Sequence, residues 1–206
     1  MKYPNFEEEK ILWQKGFKCV AGLDEAGRGP LAGPVVAGAI LIKVGSKILF
    51  EDINDSKKLS EKQRKKFYKI LTNHKDIRWG VGIVSEKVID KINILEATKL
   101  AMQKAIKNLK PDFLLLDGNF KIKSLVPQKS IIKGDQKVIS ISAASIIAKV
   151  TRDRIMGKLH KKYPQYRFDR HKGYGTQLHI KMLKKYGTCL IHRKSFQPIS
   201  KLLNIQ

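Results

Sequence analysis

The sequence predicts one α/β domain of 206 residues, with helices on both faces of a mixed sheet. Three observations carry this. Short apolar, β-rich runs alternate with longer helix-patterned segments. Capping signatures open several of those helices. No linker, internal repeat or low-complexity stretch divides the chain, and 42% hydrophobic with 29% charged residues suits a folded core.

Glu7 to Gln14 reads as a short amphipathic helix, an arm that packs on the body. Lys18 to Asp24 reads as a buried first strand, stopped by the glycine turn that follows. Pro34 to Ile42 is a near-continuous apolar run and reads as a second strand; Lys47 to Phe50 is a candidate third. Together they would pair as a meander. Ser60 and Gln63 match a capping box, opening a helix to about Thr72 with Phe67, Ile70 and Leu71 on its apolar face. Ile77 to Val84 reads as a strand. Asn93 to Glu96 signals a second helix start, and Pro111 stops that helix after Leu109. Asp112 to Asp117 and Lys129 to Lys133 read as strands, and Val138 to Lys162 as one long helix ended by Tyr163-Pro164. Thr176 caps a further helix that ends at Gly187. A short helical tail begins at about residue 188, with its helix from Phe196.

The charge balance narrows the partners. The chain has 42 Lys+Arg against 18 Asp+Glu, a formal net charge of +24. That favours a polyanion, nucleic acid before membrane, although a lysine-rich composition alone accounts for part of it. The two cysteines, Cys19 and Cys189, form no zinc spacing and no disulfide framework, which suits a reducing, cytoplasmic setting. Met1 to Lys10 lacks an apolar signal core, and Leu31 to Ile42 is too short to span a bilayer.

Candidate chemistry lies at strand ends. Asp24, Asp117 and Asp135 each end a short apolar run, and Glu25 follows Asp24 directly. Each acid alone has a plainer reading. Asp117-Gly118-Asn119 is a turn signal, and Asp135 is an N-cap candidate for the long helix. Together, they would converge at one sheet edge, where like charges demand a cation or a proton. All-oxygen ligands suit magnesium or manganese. Adjacent strand residues point to opposite faces, so Asp24 and Glu25 share one site only if the first strand ends at or next to Asp24. Two carboxylate-held ions suit phosphodiester hydrolysis.

Gly27-Arg28-Gly29 would bring backbone groups close to a ligand, where they can read a 2′-hydroxyl; the alternative is a tight turn with a surface arginine. Lys57 or Lys58 can meet a phosphate or simply solvate a loop. Tyr174, between glycines in a basic loop, can stack on a sugar or base or serve as a buried structural residue. His171, His179 and His192 show no pairing that requires catalysis, and no nucleophile elbow appears.

These residues carry a resemblance. AGLDEAGRGPLAGPVVAGAI at 21–40, NDSKKLS at 54–60, NILEATKLAM at 93–102, LLLDGN at 114–119, KGDQKVISISAASIIAKVTRDR at 133–154, HKGYGT at 171–176 and IHRKSFQP at 191–198 follow one another in family order. The chain resembles bacterial ribonuclease HII, the type 2 ribonuclease H family. The resemblance implies a ribonuclease H-like fold with a central mixed five-stranded sheet. It implies cleavage of the RNA strand in RNA–DNA hybrids, and cutting 5′ to a ribonucleotide embedded in duplex DNA, leaving 3′-hydroxyl and 5′-phosphate ends. By the same resemblance Asp24, Glu25, Asp117 and Asp135 match the four metal-binding acids, with two Mg2+ or Mn2+ ions expected on substrate. Gly27, Arg28 and Gly29 match the turn that reads the 2′-hydroxyl, Tyr174 the tyrosine at the RNA–DNA junction, and Lys57 a phosphate-contacting lysine. The intact Gly-Arg-Gly turn fits type HII better than type HIII. A monomer is expected. Two other classes compete: a basic, non-catalytic nucleic-acid-binding protein in which the acids are caps, and a branch-specific nuclease of the same fold.

Overall fold

The computed structural model describes residues 4–46 and 59–203. The candidate strand Lys47 to Phe50 and the candidate phosphate contact Lys57 lie outside these residues. Five strands form one sheet: β1 Val20–Ala26, β2 Val35–Ile42, β3 Ile77–Val84, β4 Phe113–Asp117 and β5 Gln128–Ile131, in the order β3-β2-β1-β4-β5. β1, β2 and β3 pair antiparallel, so the meander forms with Ile77–Val84 as its third member. β4 runs parallel to β1, and β5 parallel to β4. A parallel neighbour needs a crossover, and α3 Glu86–Ile106 supplies it between β3 and β4. The mixed five-stranded sheet expected from the sequence is present, with helices on both faces.

Residue alternation assigns the faces. Ala21, Leu23, Ala37, Ala39, Leu114 and Leu116 pack with Ala97, Ala101 and Met102 of α3. On the opposite face Ile40 and Ile42 pack with Ala143, Ala144 and Ile147 of α4 Ile139–Lys162. This second contact is unusually close. A Cβ on Gly22 would lie 2.3 Å from the Ser140 carbonyl carbon, and one on Gly38 would lie 2.3 Å from the Ala144 oxygen. Glycine in β1 and β2 therefore meets small residues in α4, and the helix lies almost on the strand backbones.

α1 Glu7–Gln14 is the packing arm, and one residue ties it to α4. Glu9 is buried and accepts a 2.9 Å hydrogen bond from the Ser140 N–H, in the first turn of α4. Asp135 does not cap that helix. It sits one step earlier, in a single 3-10 turn spanning Gly134–Gln136. An acid brought in from outside satisfies an orphan amide as well as a cap residue does. Burial raises the Glu9 carboxyl above its ordinary range.

α2 Glu61–Asn73 begins with the full Ser60/Gln63 capping box. Phe67 and Leu71 face the core, but Ile70 is 40% exposed. α3 starts earlier than expected, at Glu86, and breaks at Asn93, which takes φ 64° and accepts the Leu95 and Glu96 N–H groups on Oδ1. Asn93 thus caps the second segment of a kinked helix. After α4 come α5 Phe168–His171, α6 Gln177–Tyr186 with Thr176 as its cap, and α7 Ile199–Leu202. Leu31, Met156, Tyr166, Phe168, Leu183, Ile191 and Ile199 form a separate core beneath them.

The close seating of α4 gives a stability test. Gly38→Ala is expected to cost about 3 kcal/mol or more in urea unfolding, since backbone must move. Gly157→Ala, on open space within α4, is expected to add about 0.5–1 kcal/mol. A tolerated alanine at 38 would refute the contact.

Candidate active site

Asp24 and Asp117 come together through strand register. The β1–β4 pairing runs to Leu23↔Leu116, so the next residues along are Asp24 and Asp117. Asp24 pairs with Gly38, which faces α4. Asp117 shares the face of Leu115, which packs against Ile141 of α4. Asp135 is buried in the turn between β5 and α4. That turn touches Asp117, because the Gly134 N–H donates to Asp117 Oδ1 at 2.6 Å. Three of the four acids therefore lie at one sheet end, under the start of α4.

Glu25 corrects one expectation. β1 does not end at Asp24 but continues to Ala26, which pairs with Val36. Its two neighbours stop at different residues: the named pairing with β4 ends at Leu23, while that with β2 runs on. Past Leu23 the strand has an open side, and the site lies there. Glu25 points to the opposite face by alternation, yet its charge still acts on Asp24. Burial pushes the Asp24 carboxyl well above the ordinary carboxylate range, and the charges of Glu25, Asp117 and Asp135 push it further. A 2.6 Å bond from the Glu25 N–H to Asp24 Oδ1 works the other way.

Among the described residues, no three histidine, cysteine or carboxylate side chains enclose an ion as they stand. The acids are gathered rather than closed into a cage. The donor chemistry nevertheless fits a hard divalent cation, since every candidate ligand is oxygen and the buried Asp24 charge is opposed by three like charges.

The turn after β1 is held from behind by two buried arginines. Gly27 takes φ +99°, and a Cβ there would lie 2.1 Å from Arg152 Nε. Arg152, from α4, donates to the carbonyls of Pro34 at 3.0 Å, Ala32 at 3.1 Å and Lys172 at 2.9 Å. Arg193 donates to Gly33 at 3.0 Å, to Arg28 at 2.8 Å and to Gly27 at 2.6 Å. These are charge-assisted bonds in a dry setting. Burial lowers Arg152 to about 10; burial, with Arg152 nearby, lowers Arg193 to about 9. Arg28 itself points outward, with Nη1 3.4 Å from Glu25 Oε1.

Tyr174 is 44% exposed rather than buried. Its ring lies beside Gly29, 3.9 Å from where a Cβ would stand, and 6.0 Å from the Arg152 guanidinium. One cleft is lined by Asp24, Glu25, Gly27, Arg28, Gly29, Ser145, Lys149 and Tyr174. The structure thus brings the first two acids, the turn and the tyrosine together, with Asp117 and Asp135 adjoining Asp24. Ser145 and Lys149 of α4, and the two anchoring arginines, were not singled out from sequence. The spacing of 145, 149 and 152 along one helix face was the available signal.

A family model for ribonuclease HII matches residues 21–199. A ribonuclease HII of Chlamydia caviae is 55% identical over 200 residues, covering 96% of this chain and 92% of the relative. One from Acetivibrio thermocellus is 57% identical over 191 residues, covering 91% and 73%. The crystal structure of ribonuclease H2 from Pyrococcus horikoshii is similar with a TM-score of 0.73 and 32% identity, over 90% of this chain and 97% of that one.

Crowded carboxylates make a pH-dependent prediction. In the unfolded chain Asp24 titrates at about 3.9; in the fold its pKa is raised. Its contribution is therefore fully present below the unfolded value and lost as pH rises through the folded one. Asp24→Asn is expected to raise the melting temperature of the metal-free protein at pH 8 by about 2–4 °C. The gain should vanish near pH 3.5, a value set by the reference titration. A lower melting temperature for the variant at pH 8 would count against the crowding.

Proposed function

The chain belongs to the ribonuclease HII family, and from that premise we propose that it cuts 5′ to ribonucleotides embedded in duplex DNA as well as cleaving the RNA strand of RNA–DNA hybrids. The products carry 3′-hydroxyl and 5′-phosphate ends, and the role is ribonucleotide removal from DNA in the cytoplasm. A single catalytic domain does this as a monomer. The observation that carries the reading is the cleft itself, in which Asp24 and Glu25 stand one turn from Gly27–Gly29 and Tyr174.

Asp24, Glu25, Asp117 and Asp135 would hold the cation. A bound Mg2+ or Mn2+ ion, with two expected on substrate, would supply Lewis acidity for phosphodiester hydrolysis. The protein's own contribution is placement. Arg152 and Arg193 tie down the carbonyls behind the turn, so that Gly27 and Gly29 can approach a ribose without side chains in the way. A 2′-hydroxyl both donates and accepts, and backbone groups can tell it from hydrogen. Arg28 faces the anionic backbone, and Tyr174 offers a ring for the neighbouring sugar or base. Lys57 is assigned a phosphate contact by the resemblance alone. The net charge of +24 assists encounter with any duplex and makes binding steeply salt-dependent. Among the described residues no helix is long and apolar enough to cross a membrane.

A duplex with one ribonucleotide is expected to be nicked on its 5′ side when Mg2+ or Mn2+ is present, while the all-DNA duplex stays intact. Equal cleavage of both would sink the proposal. Binding without metal-dependent turnover would favour the non-catalytic class, and preference for branched DNA the other nuclease. Asp117→Asn is expected to lower kcat by about 100-fold or more, a loss of transition-state stabilisation of about 2.7 kcal/mol, with the circular dichroism spectrum unchanged. Activity near wild type in that variant would refute the metal assignment.

A further inference from the structure

Three histidines that play no part in the chemistry above lie directly behind Tyr174. His171, His179 and His192 are buried against Tyr166 and Phe168. The His171 and His179 rings stack, with centroids 4.4 Å apart and planes at 16°. All six ring nitrogens have partners, and those partners settle where each proton sits. His192 Nδ1 lies 2.8 Å from the Cys189 N–H, which donates to it, and 3.3 Å from the Cys189 carbonyl; the shorter contact decides its role. That nitrogen is therefore an acceptor, and the His192 proton is on Nε2. His192 Nε2 lies 3.1 Å from His179 Nε2, which must accept. The His179 proton is then on Nδ1, 2.9 Å from the Tyr174 carbonyl. His171 is fixed likewise: Nδ1 accepts from the Gly173 N–H at 3.2 Å, and Nε2–H donates to the Tyr166 carbonyl at 2.8 Å.

The chain of bonds has one direction and ends on Tyr174. The other backbone group of that residue is also held here, since the Tyr174 N–H donates to the His171 carbonyl at 2.9 Å. The loop reaches this position through two successive left-handed residues, Lys172 at φ 52° and Gly173 at φ 87°. Burying three imidazoles costs desolvation that apolar side chains of the same size would avoid. The cost is offset only while every nitrogen is satisfied, which requires all three rings neutral. Burial favours that state, lowering His179 and His192 each to about 4.

We propose that His179 and His192 are positioning residues for substrate discrimination: the relay Cys189 N–H to His192 to His179 to Tyr174 C=O sets the Tyr174 ring at the distance from Gly29 at which it reads the junction. This rests on the role proposed for Tyr174. An apolar ring at 179 would keep the packing volume but take the imidazole N–H from the Tyr174 carbonyl, leaving it the Thr176 N–H at 2.8 Å, and would leave the His192 N–H with no acceptor. Glutamine at 179 offers one amide N–H and one carbonyl, and so preserves both links.

The experiment compares kcat/KM on a singly ribo-substituted duplex with kcat/KM on an RNA–DNA hybrid, both with Mg2+, in wild type, Tyr174→Ala, His179→Phe, the double variant and His179→Gln. Tyr174→Ala is expected to lower the ratio about tenfold, the scale of one base–aromatic contact. His179→Phe should lower it similarly. The double variant should match Tyr174→Ala, because residues acting through one another are not additive. His179→Gln should stay within about twofold of wild type, since it retains both hydrogen bonds. If Tyr174→Ala lowers the ratio and His179→Phe does not, or if their effects multiply, the relay is only structural and the proposal is overturned. An unchanged ratio in Tyr174→Ala overturns the reading of that residue, and the relay's role falls with it. Nitrogen-15 spectra of wild-type imidazoles test the relay independently of whether the variants fold. They should report Nε2–H at His171 and His192 and Nδ1–H at His179; the other tautomer at His179 would overturn the proposal.

Discussion

Everything at the site depends on how closely α4 lies against β1 and β2. The helix can come that near because Gly22 and Gly38 offer no side chain where Ser140 and Ala144 press down. Its start then stands over the strand ends, and the turn carrying Asp135 is drawn against Asp117. Farther along, the same helix gives the cleft Ser145 and Lys149 and places Arg152 behind Gly27. One packing distance thus fixes the depth of Asp24, the wall of the cleft and the anchor of the turn. A helix one methyl group farther out would loosen all three at once.

The electrostatic layout is lopsided in a useful way. Three of the four acids are collected at one sheet end, with Glu25 next to Asp24 on the strand, and burial makes the Asp24 charge costly. Two buried guanidinium groups stand behind the neighbouring turn, with backbone carbonyls as their hydrogen-bond acceptors. The carboxylates favour a cation and the guanidinium groups favour an anion, side by side. A phosphodiester carried in with divalent ions satisfies both demands together. Stability given up in crowding the acids is recovered elsewhere, in the apolar packing of α3 and α4 on the two sheet faces.

Much of the fold was legible because burial writes a period into the sequence. The strands Val35–Ile42 and Ile77–Val84, the Ser60 and Thr176 caps and the long α4 could all be read from it. Hydrogen bonds write no such period. Nothing local in Thr151-Arg152-Asp153 says that the middle residue is buried against carbonyls from 32 to 34. The Ile-His-Arg stretch at 191–193 gives no hint that its arginine holds a turn 166 residues away. The end of β1 was misjudged for a related reason: a strand has two neighbours, and one can stop while the other continues. Asn93 was read correctly as a cap but not as a kink, since a second helical segment precedes it. The candidate site residues were singled out by joint occurrence, as each acid alone had a plainer reading.

The bond from Arg193 to Gly27 and Arg28 also bears on how the molecule is made. Proteins grow from the N-terminus, and domains gain their contacts in that order. The four carboxylates, the last at 135, emerge well before the residue at 193 that clamps the turn. A nascent chain therefore holds all its acids while the turn beside them still lacks that clamp. Completion of the site waits on one of the last segments of the described chain to dock.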